Sequence, residues 1–111
     1  MPIRNGPEGS LLVDLPGEPA LEAELAEVVR FARQVTACDV VLDFSRVDVL
    51  NSSCLAALLR LRNHLQMYGG RLALCNIGRA THGILSVTGL TGVFESSGDM
   101  ESALAAMRRQ E

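Results

Sequence analysis

Residues 40 to 59 constrain this chain more than any other stretch. They read Val-Val-Leu-Asp-Phe, a polar connection, then Val49-Leu50-Asn51-Ser52-Ser53 and an uninterrupted apolar run from Cys54 to Leu59. Val40, Val41 and Leu42 leave no polar face, as expected of a central strand covered from both sides. A helix follows almost at once, from about Ser53 to Tyr68, with Leu55, Leu58, Leu59, Leu61, Leu65 and Tyr68 at helical spacing. Gly69-Gly70 supplies a C-terminal stop. A strand buried on both faces and feeding directly into a helix belongs to a layered α/β fold, with helices covering a largely parallel sheet.

The remainder of the chain repeats this alternation. Leu11 to Leu15 reads as a short strand ended by Pro16-Gly17, and Pro19 suits the first turn of a helix. That helix places Leu21, Leu25, Val28, Val29, Ala32 and Val35 on one side. Leu72 to Ile77 is the next strand, followed by a helix at about Ala80 to Val87 ended by Gly89. A brief strand is predicted at Val93 to Glu95, and Asp99 opens a last helix with Met100, Ala103, Leu104 and Met107 inward. The expected architecture is a single α/β domain: a mixed, mostly parallel sheet of four to five strands packed with four helices. Residues 1 to 10, with Pro2, Gly6, Pro7 and Gly9, read as a loose lead-in with at most a short edge strand, and residues 11 to 111 as the domain. A chain of 111 residues closes one hydrophobic core. Lacking Trp, and with one Tyr and three Phe, that core is aliphatic.

Several functional classes fall away. The formal charge is −3, and the basic residues scatter: Arg60 and Arg62 on one helix, Arg108 and Arg109 at the end. Nucleic-acid binding needs a basic face and several phosphate contacts. Cys38, Cys54 and Cys75 are odd in number and widely spaced, which predicts reduced thiols and neither a disulfide framework nor a zinc site. Without an apolar leader or an apolar run long enough to span a bilayer, a cytoplasmic protein with no membrane insertion is expected.

An enzyme reading needs converging reactive groups. His64 falls with Arg60 and Asn63 on the polar side of its helix and should be solvated. His82 has no paired carboxylate, and Asp39, Asp43 and Asp48 have no partner at an acid–base spacing. The glycines form neither a phosphate loop nor a dinucleotide fingerprint. No metal set or cofactor site is expected, and no catalysis. Cys54 has two readings: a thiol activated by the helix N-terminus, or a small packing residue.

The serine pair also has two readings. Ser52 or Ser53 can cap the helix. Alternatively, a phosphate written there sits in the field of unpaired backbone N–H groups.

With these elements in place, the chain resembles the STAS family, the domain of bacterial anti-sigma factor antagonists. The family pattern is an apolar strand ending in Asp, an apolar pair, then Asp-Ser-Ser/Thr-Gly-Leu opening a helix. Here it is matched by Val41-Leu42-Asp43-Phe44, Val49-Leu50 and Asn51-Ser52-Ser53-Cys54-Leu55. Gly69-Gly70-Arg71-Leu72-Ala73-Leu74-Cys75 and Thr88-Gly89-Leu90-Thr91-Gly92-Val93-Phe94 match two further stretches in order. Asn51 stands where the family has Asp, and Cys54 where it has Gly. Pro16-Gly17-Glu18-Pro19-Ala20 is similar to the Gly-Glu-Leu-Asp turn but lacks its Asp. The resemblance implies a non-catalytic regulator that binds an anti-sigma factor with serine-kinase activity and is switched by phosphorylation of Ser52, with Ser53 second to it. It implies partner contacts at Leu50, Asn51, Ser52, Ser53 and Cys54. The other reading it allows is a STAS adaptor that is never phosphorylated, such as a subunit bound to the ATPase of an ABC phospholipid transporter.

Overall fold

The structure is a computed structural model that describes residues 3 to 34 and 38 to 109. Its elements run β1 (Ile3–Asn5), a 3-10 turn (Pro7–Gly9), β2 (Leu11–Asp14), α1 (Ala20–Ala32), β3 (Val40–Asp43), α2 (Ser52–Met67), β4 (Leu72–Cys75), α3 (Arg79–Val87), β5 (Glu95–Ser97) and α4 (Met100–Arg109). The five strands form one sheet in sequence order. β1 is an antiparallel edge strand on β2, and β2 to β5 are parallel. The mixed sheet with four helices is the architecture the sequence predicts, and Ile3–Asn5 is one of its strands.

Period-two alternation divides the sheet into two cores. Leu11, Val13, Val40, Leu42, Leu72 and Leu74 face the larger one, against Leu21, Leu25 and Val28 of α1, Leu58, Leu61 and Leu65 of α2, and Leu85 of α3. Leu12, Val41, Ala73 and Cys75 point the other way, where α4 packs Ala103 and Met107 on them. β3 lies between two helical layers, with Val40 and Leu42 facing α1 and α2 and Val41 facing α4, which is why its apolar run leaves no polar face.

α2 is fixed firmly at its far end. Gly69 takes a positive φ of 82° and its N–H donates to the Gln66 carbonyl, while the Gly70 N–H donates to the Leu65 carbonyl at 2.7 Å. This pair of bonds is the Schellman closure. A Cβ on Gly70 would lie 2.1 Å from the Cys38 carbonyl oxygen, so the close approach admits only glycine. One residue on, the Arg71 N–H donates to Asp39 Oδ1 at 3.0 Å and the Arg71 carbonyl accepts from Val40 N–H at 2.8 Å.

Four local expectations change. The last strand is Glu95–Ser97 and not Val93 to Glu95. The Val93 N–H is used in a turn to the Leu90 carbonyl, its own carbonyl accepts from Arg62 Nε, and Phe94 plugs into the core. The polar residues form the edge strand, where side chains that discourage further pairing belong. α2 starts one residue earlier than expected, and Tyr68 is its C-cap, 49% exposed and not part of the buried side. His64 is not free in solvent. Its Nε2 lies 3.2 Å from the Ala32 carbonyl oxygen and its ring packs 5.0 Å from that of Tyr68, because the C-terminus of α1 ends beside it. Val35, expected on the inner side of α1, lies outside the described residues.

Candidate functional site at the entrance of the second helix

The site begins with Asp43, the last residue of β3. Its Oδ1 accepts from the Ser45 N–H at 2.8 Å and from Asn76 Nδ2 at 3.2 Å. The carboxylate thus turns the chain off the strand and ties β3 to the end of β4, which accounts for an Asp in an otherwise apolar strand. Phe44, Val47 and Leu50 then anchor the connection in the core, leaving Ser45, Arg46, Asp48 and Val49 outward. Beside it, a Cβ on Gly17 would lie 2.9 Å from the Arg46 carbonyl oxygen, so the loop entering α1 packs directly against this connection.

Asn51 is the cap of α2. Its backbone is extended, with φ −88° and ψ 174°, and its side-chain Oδ1 accepts from the Cys54 N–H at 2.9 Å. Its carbonyl takes the first helical bond, from the Leu55 N–H at 3.0 Å. The capping role that Ser52 or Ser53 could have filled therefore belongs to the residue before them. Both serines already have helical geometry, from which a hydroxyl cannot reach forward to the N3 amide. Ser52 and Ser53 are exposed, and their hydroxyls make no hydrogen bond among the described residues. Their amide N–H groups stand at the positive end of the helix, whose first turn holds no acidic residue.

The five residues singled out from the sequence do come together here, but in two layers. Asn51, Ser52 and Ser53 are exposed, whereas Leu50 and Cys54 are buried and support them from below. Val49, 59% exposed, presents the apolar surface that Leu50 was expected to provide. The Val49-Leu50 pair was visible in the sequence, but which member turns outward depends on the core anchors at Val47 and Leu50.

Cys54 is not an activated thiol. It is fully buried and its Sγ lies 3.9 Å from Glu18 Oε1. Burial pushes its pKa up, the Glu18 and Glu22 carboxylates push it further, and the bond with Asn51 at the helix terminus offsets only part. Cys75 is pushed up to about 12 by burial and by Asp43, Asp99 and Asp14, and Cys38 is raised by burial and Asp39. All three cysteines are buried and unpaired. His82 is exposed in the first turn of α3. Among the described residues, no group of three or more His, Cys, Asp or Glu side chains converges as a metal site, and no helix is long and apolar enough to cross a membrane.

A strand ending in an anchoring Asp, a short connection and a helix opened by two free serines is a specific arrangement, and comparison with known proteins gives it a family. The STAS domain model matches residues 14–105. The chain belongs to the STAS family. Along 88 residues this STAS domain is 31% identical to BtrV of Bordetella bronchiseptica, named as an anti-sigma factor antagonist, covering 79% of this chain and 72% of that protein. In fold it is similar to TM1081 of Thermotoga maritima, whose crystal structure is described as that of an anti-sigma factor antagonist. That match has a TM-score of 0.83 and 16% identity, over 96% of this chain and 93% of the other. It is also similar to the antagonist SpoIIAA of Bacillus in its unphosphorylated form, with a TM-score of 0.76 and 21% identity over 96% and 94% of the two chains. SpoIIAA has been solved in a phosphorylated form as well, which matches with a TM-score of 0.70 and 19% identity over 95% and 96%.

Proposed function

We propose that this STAS domain is an anti-sigma factor antagonist, acting in the cytoplasm by contact and without catalysis. The surface formed by Val49, Asn51, Ser52 and Ser53 binds an anti-sigma factor with serine-kinase activity. Phosphorylation of Ser52 ends that binding. The observation that carries the reading is the free hydroxyl of Ser52: with Asn51 as cap, the fold makes no use of it. The likeness to BtrV, and the existence of SpoIIAA in two phosphorylation states, support the same role.

The physical chemistry is coherent. Transfer moves the γ-phosphoryl of ATP to Ser52 Oγ, releases ADP and passes the hydroxyl proton to a base on the kinase. The product carries about −1.5 to −2 charges at neutral pH. The domain tolerates this, because the charge sits at the positive end of α2 beside unused N–H groups and no first-turn carboxylate. A docked partner does not, since it must either desolvate the dianion or face it with its own charges. Ser53 is the poorer acceptor. It lines a groove shared with Glu22, where a second negative charge meets a carboxylate.

The test is incubation with each purified serine-kinase anti-sigma factor of the source organism and ATP, followed by phosphosite mapping by mass spectrometry. Phosphate on Ser52, absent from Ser52→Ala, with loss of the complex is the expected result. Modification of Ser53 instead, or a complex indifferent to Ser52→Asp, would overturn the reading.

A further inference from the structure

From Ser53 the exposed surface continues as a shallow groove between α1 and α2. Glu22 and Ala26 of α1 and Ser53, Ala56, Ala57 and Arg60 of α2 line its roughly 260 Å³. Alanines form the floor because the two helices approach closely, and Ala26 and Ala56 are left open to solvent. The groove has a polarity. Glu22 lies at the Ser53 end, near enough for its charge to act on the Cys54 thiol, and Arg60 lies two turns along α2. Farther down α1, Glu27 and Arg30 neutralise each other at 2.7 Å. Glu22 and Arg60, by contrast, take part in no ion pair among the described residues.

We infer that this groove is the second half of the docking surface and receives an amphipathic helix of the protein partner. That helix places an aliphatic side chain on the alanine floor, a basic residue toward Glu22 and an acidic residue toward Arg60. The inference rests on the proposed function for the existence of a partner at Ser53, but its residues are separate from the switch. A trough between two parallel helices accepts the ridge of a third helix. Opposite charges at its two ends then fix which way that helix runs, because the reversed orientation sets like charges together. The switch serine decides whether the partner binds, and the groove decides which partner.

Titration calorimetry of the unphosphorylated domain with the same purified serine-kinase anti-sigma factors tests this with three variants. Ala56→Trp fills the floor from an exposed position and should raise Kd by about 30-fold, the size of a hot-spot loss. The double exchange of Glu22→Arg with Arg60→Glu keeps net charge constant, and should raise Kd by about tenfold through reversed polarity alone. Ser52→Asp reports on the switch. Thermal melting should find all three folded like the wild type. If Ser52→Asp weakens binding while both groove variants bind normally, the groove inference is wrong and the proposed function stands. If the groove variants weaken binding while Ser52→Asp does not, the groove stands and the switch reading fails.

Discussion

The helices α2 and α3 follow the neighbouring parallel strands β3 and β4 at their C-terminal ends, yet their first turns are built in opposite ways. α2 has a side-chain cap, Asn51, and turns its two hydroxyls outward. α3 has Gly78 at the cap position with no side-chain bond, and its hydroxyl, on Thr81, is fully buried with no partner among the described residues. In α2 the polar groups are either satisfied or in water. In α3 one is neither, and an unmatched buried hydroxyl costs free energy. A serine at a helix start is therefore available only when the residue before it already does the capping.

That contrast can be broken at Asn51. Asn51→Ala should lower stability in urea denaturation by about 1 kcal/mol, the usual loss of a helix cap. Ser52→Ala and Ser53→Ala should each stay within about 0.5 kcal/mol of wild type, as at exposed sites without a structural bond. If either serine variant loses as much as Asn51→Ala, the assignment of the cap is wrong. At α3 the sign should reverse. Thr81→Val removes the unmatched hydroxyl at nearly constant shape and should raise stability by up to about 1 kcal/mol. A loss there would show that the hydroxyl has a bond in solution.

Two further substitutions should have smaller effects. Gly78→Ser gives α3 the cap it lacks, in open space and with an ordinary extended backbone, and should add a few tenths of a kcal/mol, about the glycine-to-serine difference. α4 supplies a third case, an ionisable cap. Asp99 accepts from the Ser102 N–H at 2.7 Å, and this bond holds its carboxyl below the usual range. Since the folded pKa is depressed, its contribution is complete above the unfolded pKa and disappears as pH falls through the folded one. Asp99→Asn should therefore flatten the acid limb of the stability profile slightly. No change in that slope would mean the bond is not maintained in solution.

Much of this was legible from residue spacing, and the exceptions have definite causes. Leu58, Leu61 and Leu65 announced the buried side of α2 because burial imposes a helical period. The cap was ambiguous because Asn51, Ser52 and Ser53 are all good cap formers, and only the backbone angles separate them. The thiol of Cys54 was readable as activated from its place on the helix, but its pKa follows from burial and from Glu18, a residue on another loop. The final strand was misplaced because an exposed polar edge has no alternation to detect, whereas the adjacent Val93-Phe94 imitates one. His64 left no signal at all, since what covers it is the end of α1.

The closure at Gly69-Gly70 has a consequence in time as well as in space. Gly70 is buried, its amide is bonded at 2.7 Å, and it is backed by the Cys38 carbonyl. The amides of Ser52 and Ser53, at the other end of the same helix, have no acceptor among the described residues. Protons at that end should exchange with deuterated solvent almost as fast as in an unfolded chain, while the Gly70 proton leaves only when the whole domain opens. A fast and a slow clock would then stand at opposite ends of one helix, the fast one beside the proposed switch.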